Sequence, residues 1–297
     1  MAVITNSTLS TDITVTARQI DFVSSFERDM QALRDIMGIS RPIKMEPGSV
    51  LRTITANVSL NNTQVGEGDE VGLSKATVTE APVASITLEK YQTLVTAEAI
   101  LKWGYDIAVD RVDRAFRREL EDNIMSRFYT FLGTGTLTPA QSTTFAGFQD
   151  ALAQTKGLVD NFFKSNKLGI DGVVAFVNIE DFYKYLGGAN LVVQNQFGMY
   201  YIENFLGYRT VFLCSSNEVP SGKIFATAEN NIMFYYVDAS NSDLARAGLN
   251  YTVGGGETNL IGFWTEGDYN RVSSREHALM GITILAEYLN GIANVSF

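Results

Sequence analysis

Few residues in this chain are suited to chemistry, and their spacing is poor for it. The single histidine, His277, stands in Arg271-Val272-Ser273-Ser274-Arg275-Glu276-His277-Ala278. Ser273 or Ser274, with His277 and an acid, supplies the members of a nucleophilic set. Such sets work by geometry assembled across a fold, which neighbours along one strand do not provide. His277 therefore reads as a hydrogen-bonded structural residue. Zinc requires several Cys or His ligands, and one of each is too few. No Asp-x-Asp-x-Asp-Gly calcium loop occurs. Glu67, Asp69 and Glu70 could gather a cation, but they lie in Gly66-Glu67-Gly68-Asp69-Glu70-Val71-Gly72, which reads as a solvated turn. Gly133-Thr134-Gly135 and Gly254-Gly255-Gly256 lack the Gly-Lys-Ser/Thr ending of a phosphate loop. No catalytic residue, metal or cofactor is expected.

The basic residues Arg111, Arg114, Arg117 and Arg118 fall close together, interleaved with Asp110, Asp113, Glu119, Glu121 and Asp122. That mixture suits an intrahelical or intersubunit ion-pair face better than a nucleic-acid site. The net charge of −10 likewise argues against broad DNA binding, which needs a basic face.

The elements around these residues are strongly patterned. Val50, Arg52, Ile54, Ala56, Val58 and Leu60 alternate with Leu51, Thr53, Thr55, Asn57 and Ser59. After the acidic turn, a second alternating run is expected from Ala76 through Ser85, Ile86 and Leu88 to Tyr91, Leu94 and Val95. Arms of this length reach roughly 40 Å, beyond the radius of a compact domain. A ribbon that projects so far cannot cover its apolar face with its own subunit, so it calls for a neighbour. A long helix is expected over Asp106–Leu132, with the stripe Val109, Val112, Phe116, Leu120, Ile124 and Phe128 and a stop at Gly133.

Upstream, Gln19–Met37 has helical spacing, ended by Gly38 and the Pro42 and Pro47-Gly48 breakers. From about Thr138 the texture is α/β. Helices are expected at Gly147–Phe163 and Glu180–Leu186, and strands at Val173–Val177, Thr210–Cys214, Lys223–Ala226 and Ile232–Val237. The stretch Gly262–Phe297 reads largely as strand. The chain of 297 residues, 45% apolar and 19% charged, is long enough for a real core. Cys214, within an apolar run, reads as a small buried hydrophobe, and a reducing compartment fits. No apolar run approaches the roughly 18 residues needed to span a bilayer, and the opening Met1–Ser7 carries no secretory signal. A cytoplasmic site of synthesis and folding is expected.

Four stretches, in this order, carry a resemblance. They are Glu67–Lys75 with the Thr-rich strand to Lys90-Tyr91; Ala97–Leu101 through Leu132–Thr136; Val174–Asn178 with Asp181–Tyr183, Gly207–Val211 and Val219–Gly222; and Arg275–Gly281 through Phe297. Over about residues 20–297 the chain resembles the major capsid proteins of tailed bacteriophages with the Hong Kong 97 fold. The resemblance implies an α+β capsid fold: an N-terminal arm (1–48), an extended β-hairpin or E-loop returning into the peripheral domain (49–97), a spine helix of that domain (98–137), an α/β axial domain (138–262) and closing peripheral strands (263–297). It implies a subunit that assembles with itself into pentamers and hexamers of an icosahedral head, made in the bacterial host cytoplasm and ending in the virion. The head would enclose double-stranded DNA without binding it specifically, and no membrane is involved. The sequence lacks the long helical N-terminal extension of one branch of the family, which implies either a separate scaffolding protein, alongside a portal, or a chain shown after processing, with Met1 favouring the former. Lys75, Asn290 and Asn294 are available for the covalent cross-links some members make, but no motif fixes them. The tip Glu67–Lys75 is expected to dock on an adjacent subunit, with Glu67, Asp69 and Glu70 facing that neighbour's Arg111, Arg114 or Arg117. An encapsulin-like cellular compartment is the alternative on the same fold.

Overall fold

The structure, a computed structural model, describes residues 40–46, 49–61, 72–139, 145–187, 194–196, 199–254 and 260–297. The helix expected over Gln19–Met37 and the turn residues Glu67, Asp69 and Glu70 lie outside the described residues. Within them the chain is α+β.

Strand β1 (Arg41–Met45) comes first, followed by the long arms β2 (Val50–Ser59) and β3 (Lys75–Ser85). The arms pair antiparallel from Val50↔Ser85 to Ser59↔Lys75, with one irregularity between Leu51 and Arg52. One continuous return strand to Val95 was the expectation, and the structure corrects it. The strand breaks at residues 86–88, where Ile86 is buried, and resumes as β4 (Glu89–Thr96) in a different sheet. The break has a simple cause: β3 pairs only with β2, while β4 must pair with a strand near the C-terminus.

Thr96 caps the next helix, α1 (Ala97–Trp103), by accepting a hydrogen bond from the Ala99 N–H at 3.4 Å. Gly104, at φ 83°, ends it in a conformation that glycine adopts freely. The long helix then begins as a π-helical turn over Asp106–Asp110 and continues as α2 (Arg111–Leu132). Of its expected stripe, Val109, Leu120, Ile124 and Phe128 are buried, and Val112 and Phe116 are half-buried. At Gly135 the chain passes so close to Ile292 that a Cβ would lie 2.6 Å from its carbonyl oxygen, so glycine is required there.

The second half supplies α3 (Phe148–Ser165), β5 (Val173–Asn178), α4 (Ile179–Leu186), β6 (Gln194–Gln196), β7 (Met199–Glu203), β8 (Thr210–Cys214), β9 (Lys223–Ala228) and β10 (Ile232–Val237). A short α5 (Ser242–Arg246) precedes β11 (Thr252–Gly254), β12 (Ile261–Asp268), β13 (Ser273–Met280), β14 (Ile282–Ala286) and β15 (Ala293–Ser296). Three sheets result besides the hairpin: β15-β9-β5-β8-β7-β6, β11-β12-β13-β4 and β1-β10-β14.

Strand β5 shows why the six-stranded sheet is central. All six of its residues are buried, the pattern of a strand covered on both faces. Val174 and Phe176 join one core with Phe128, Tyr129 and Leu132 of α2, while Val173, Ala175 and Val177 join another with Ala151, Leu152 and Val159 of α3. Alternation thus feeds two cores from one strand. In the first core Phe176 stacks on Phe212 with centroids 5.2 Å apart and meets the edge of Phe128 at 5.6 Å.

The strands after residue 262 divide their pairing among the sheets. β12 and β13 join β4, but β14 pairs with β10, and β15 crosses to the six-stranded sheet as the partner of β9. The residues after 262 are therefore shared among all three sheets. Packing accompanies the crossing: Ile292, Ala293 and Val295 are fully buried, with Leu137 bridging to Ala293 and β9 alongside β15.

Candidate subunit-interaction surface

Neither arm of the hairpin pairs with any of the three sheets. Its distal half carries apolar side chains in the open. Val58 is 61% exposed and Val78 64%, with Leu60 and Leu73 more exposed still. Val58 stands opposite Ala76, which is also exposed, and Val78 lies two residues along the same face, so the three form one strip. Lys75, exposed at the start of β3, pairs in register with Ser59. Just beyond, the Asn61 N–H donates to Ser74 Oγ at 3.1 Å and holds the arms together.

The three arginines expected to receive the acidic turn have different surroundings. Arg111 is half-buried at the start of α2. Arg114 pairs with Asp110 one turn back at 2.6 Å, an exposed intrahelical bridge. Arg117 is committed within its own chain: Nη2 and Nε donate to Glu276 Oε1 at 2.6 and 3.1 Å, and the guanidinium lies 4.7 Å from the centre of the Phe263 ring. The Glu276 side chain is fully buried. Arg117 therefore ties α2 to the sheet formed by β12 and β13.

A second such tie went unread in the sequence. Arg127 of α2 holds Glu89, the first residue of β4, through paired hydrogen bonds of 2.6 and 2.7 Å. Those bonds hold the Glu89 carboxyl below its ordinary range, against the opposing effect of burial, and the Tyr91 hydroxyl adds a third. Tyr91 itself is pushed up, by burial and then by Glu89.

A further exposed apolar set was also missed. Tyr269 is 95% exposed in the β12–β13 turn, with Val272 beside it at φ 47°, a strained setting for a β-branched residue. The Val272 carbonyl accepts from the Ala97 N–H at 2.9 Å, and one turn along α1 stands the exposed Leu101, with exposed Tyr105 beyond. The signal was an aromatic and a β-branched residue in an otherwise polar turn.

His277 lies across from Trp264, ring centroids 5.5 Å apart, with Nε2 3.0 Å from Glu266 Oε1. Neither Ser273 nor Ser274 hydrogen-bonds its ring among the described residues. Cys214 is buried beside the Tyr129 hydroxyl. Among the described residues no group of three His, Cys, Asp or Glu side chains could hold a metal ion, and no helix is long and apolar enough to cross a membrane. The arrangement offers surfaces and ion-pair ties between elements.

The sequence matches no protein-family model and no curated protein. The fold does match solved structures. The mature capsid of bacteriophage PhiM1 superposes with a TM-score of 0.58 at 8% identity, over 100% of this chain and 96% of that one. The capsid of cyanophage P-SCSP1u gives 0.57 at 10% identity, over 99% and 96%. The SrpI encapsulin of Synechococcus elongatus gives 0.53 at 11% identity, over 94% and 93%. Across essentially its whole length this chain has the Hong Kong 97-like fold of phage capsid proteins, which the encapsulin shares.

Proposed function

We propose that the chain is the major capsid protein of a tailed phage. It assembles with itself into pentamers and hexamers of an icosahedral head, in the bacterial host cytoplasm, and ends in the virion around double-stranded DNA. The observation that carries this reading is the hairpin β2–β3, on a chain whose whole length fits the capsid fold. Among the described residues its arms pair only with each other, and head-to-tail contacts made by such an arm generate closed rings. In this reading β2–β3 is the E-loop, α2 the spine helix, and the six-stranded sheet with α3 and α4 the axial domain. The turn residues Glu67, Asp69 and Glu70, with Lys75, dock on a neighbour's α2 near Arg111 and Arg114. Arg117 takes part only as the anchor of that helix, since Glu276 already holds it.

A separate scaffolding protein and a portal complete the assembly. The net charge of −10 suits an enclosure that holds DNA without gripping it. The encapsulin match favours a second reading, a cellular compartment around a protein cargo.

Negative-stain imaging of the purified protein, alone and co-expressed with scaffold, tests the proposal. Closed shells are expected. Monomer under every assembly condition overturns it, and shells filled with a cargo protein in place of DNA favour the second reading.

A further inference from the structure

The contact between α2 and the β4–β13–β12 sheet contains a polar cluster that the shell reading does not use. Asp113 and Arg117 stand one turn apart on the helix, and both approach Glu276 of β13. Arg117 binds only Oε1 of that buried carboxyl. Oε2 is buried and accepts no hydrogen bond from any N–H or O–H among the described residues. The hydroxyl directly across the strands, Thr93 Oγ1, is itself buried without a partner, so it does not satisfy Oε2. The Asp113 carboxyl meets Glu276, and it can donate a hydrogen bond there only while it carries a proton. Gly104 at φ 83° and the π-helical turn Asp106–Asp110 precede this contact directly, and Ala108 and Val109 of that turn pack with Val95 and Ala99.

We propose that Asp113 and Glu276 form a proton-operated latch, which holds the first turns of the long helix on the sheet when one proton is shared and releases them when both carboxyls are ionised.

The surroundings support the protonated form. Burial first, then the charge and hydrogen bond of Glu276, raise the Asp113 carboxyl to about 7, with Asp110 adding to the rise and Arg117 opposing it. These are the charged groups that face Asp113: Asp110 and Arg117 on its own helix, and Glu276 from β13. At this point β12 presents Thr265, with Phe263 two residues along, and β4 presents Thr93, none of which titrates. Because the folded value is raised, the stabilisation is complete below the ordinary Asp range near 3.8 and is lost as pH rises through about 7. The working window is thus near neutrality.

Hydrogen exchange of the full-length, unassembled chain, read by mass spectrometry at pH 5 and pH 8 and corrected for intrinsic rates, tests the latch. Protection of residues 104–117 is expected to fall by at least about 10-fold between the two values, as one released proton requires. Asp113→Asn donates a hydrogen bond at every pH, so protection there is expected to stay high and flat. Glu276→Gln removes the facing charge and provides an independent check, since the transition is then expected to shrink and move to lower pH, with burial alone still raising Asp113. Equal pH dependence in wild type and Asp113→Asn overturns the proposal, as does a wild-type loss of protection located away from residues 104–117. The readout needs no particle, so its failure is distinct from failure of the shell reading.

Discussion

Arg127 and Glu89 join the long helix to the root of the hairpin through two parallel hydrogen bonds, Nη1 to Oε1 at 2.6 Å and Nη2 to Oε2 at 2.7 Å. Glu89 opens β4 with only three residues between it and the end of β3, so this fork ties the helix close to the base of the ribbon. Arg127→Ala is expected to lower the unfolding free energy by about 1–3 kcal/mol, and Arg127→Lys by less, because lysine cannot make the paired contact. The lowered Glu89 carboxyl gives the sign of the pH effect. Its stabilisation is present above the ordinary value of 4.5 and is lost as pH falls through the lowered one. Denaturant midpoints at pH 7 and pH 3.5 check this: the gap between wild type and Arg127→Ala should shrink at the lower pH.

Arg117 gives the opposite pH signature. Removing it leaves Glu276 buried without its cation and next to Asp113, for a loss of about 2–4 kcal/mol. Asp113, whose carboxyl is raised, carries its proton at pH 5 and so relieves the repulsion, and the damage from Arg117→Ala should be greater at pH 8 than at pH 5. Urea unfolding at both values decides the matter. A loss independent of pH would mean that the Phe263 contact, and not the charge, carries the effect.

These two ties mark where the sequence stops being legible. The hairpin arms and the long helix were readable because their signal is local: alternation from Val50 to Leu60, and apolar residues from Val109 to Phe128 at helical steps. The strand Val173–Asn178 and its neighbours β8, β9 and β10 were readable for the same reason. Partner choice was not. Ile292 and Val295 announce a strand, but nothing near them says that it pairs with β9. The charges around Arg117 announce an ion-pair face, but its partner lies 159 residues away. The break at Ile86 was likewise invisible, because the apolar alternation runs straight through it while the pairing changes sheets.

His277 is expected to be dispensable for assembly. It stacks on Trp264 and meets Glu266 at a half-exposed site, so His277→Gln keeps a polar partner and loses mainly the ring contact. A stability loss of at most about 1–2 kcal/mol is expected, with particle yield unchanged. Loss of particles from a chain that still folds would reveal a function for this residue.

The sharpest expectation concerns the hairpin strip. Val58 and Val78 are exposed in the subunit, so replacing both by Asp removes little from its core, and the isolated chain should keep its unfolding midpoint. Assembly should not survive, because the same positions would bring two charges into an apolar contact repeated at every subunit. Deleting Gly66–Gly72 should likewise leave a folded subunit that forms no shells, or fragile and misshapen ones. Reversing Glu67 and Glu70 to Lys should weaken shells by a smaller amount. Exposed ion pairs contribute only about 0–1 kcal/mol each and are screened by salt, so the effect should grow as ionic strength falls. Reversing Arg111 or Arg114 to Glu in the same chain should then restore part of the yield, whereas reversing Arg117 should not, because it must answer to Glu276 first. Sedimentation of each variant under assembly conditions, beside its unfolding curve, separates the outcomes. If the valine pair or the deletion unfolds the subunit, the ribbon belongs to the core. If either assembles normally, shell cohesion must come from elsewhere, with the exposed set of Tyr269, Val272, Leu101 and Tyr105 the next surface to alter.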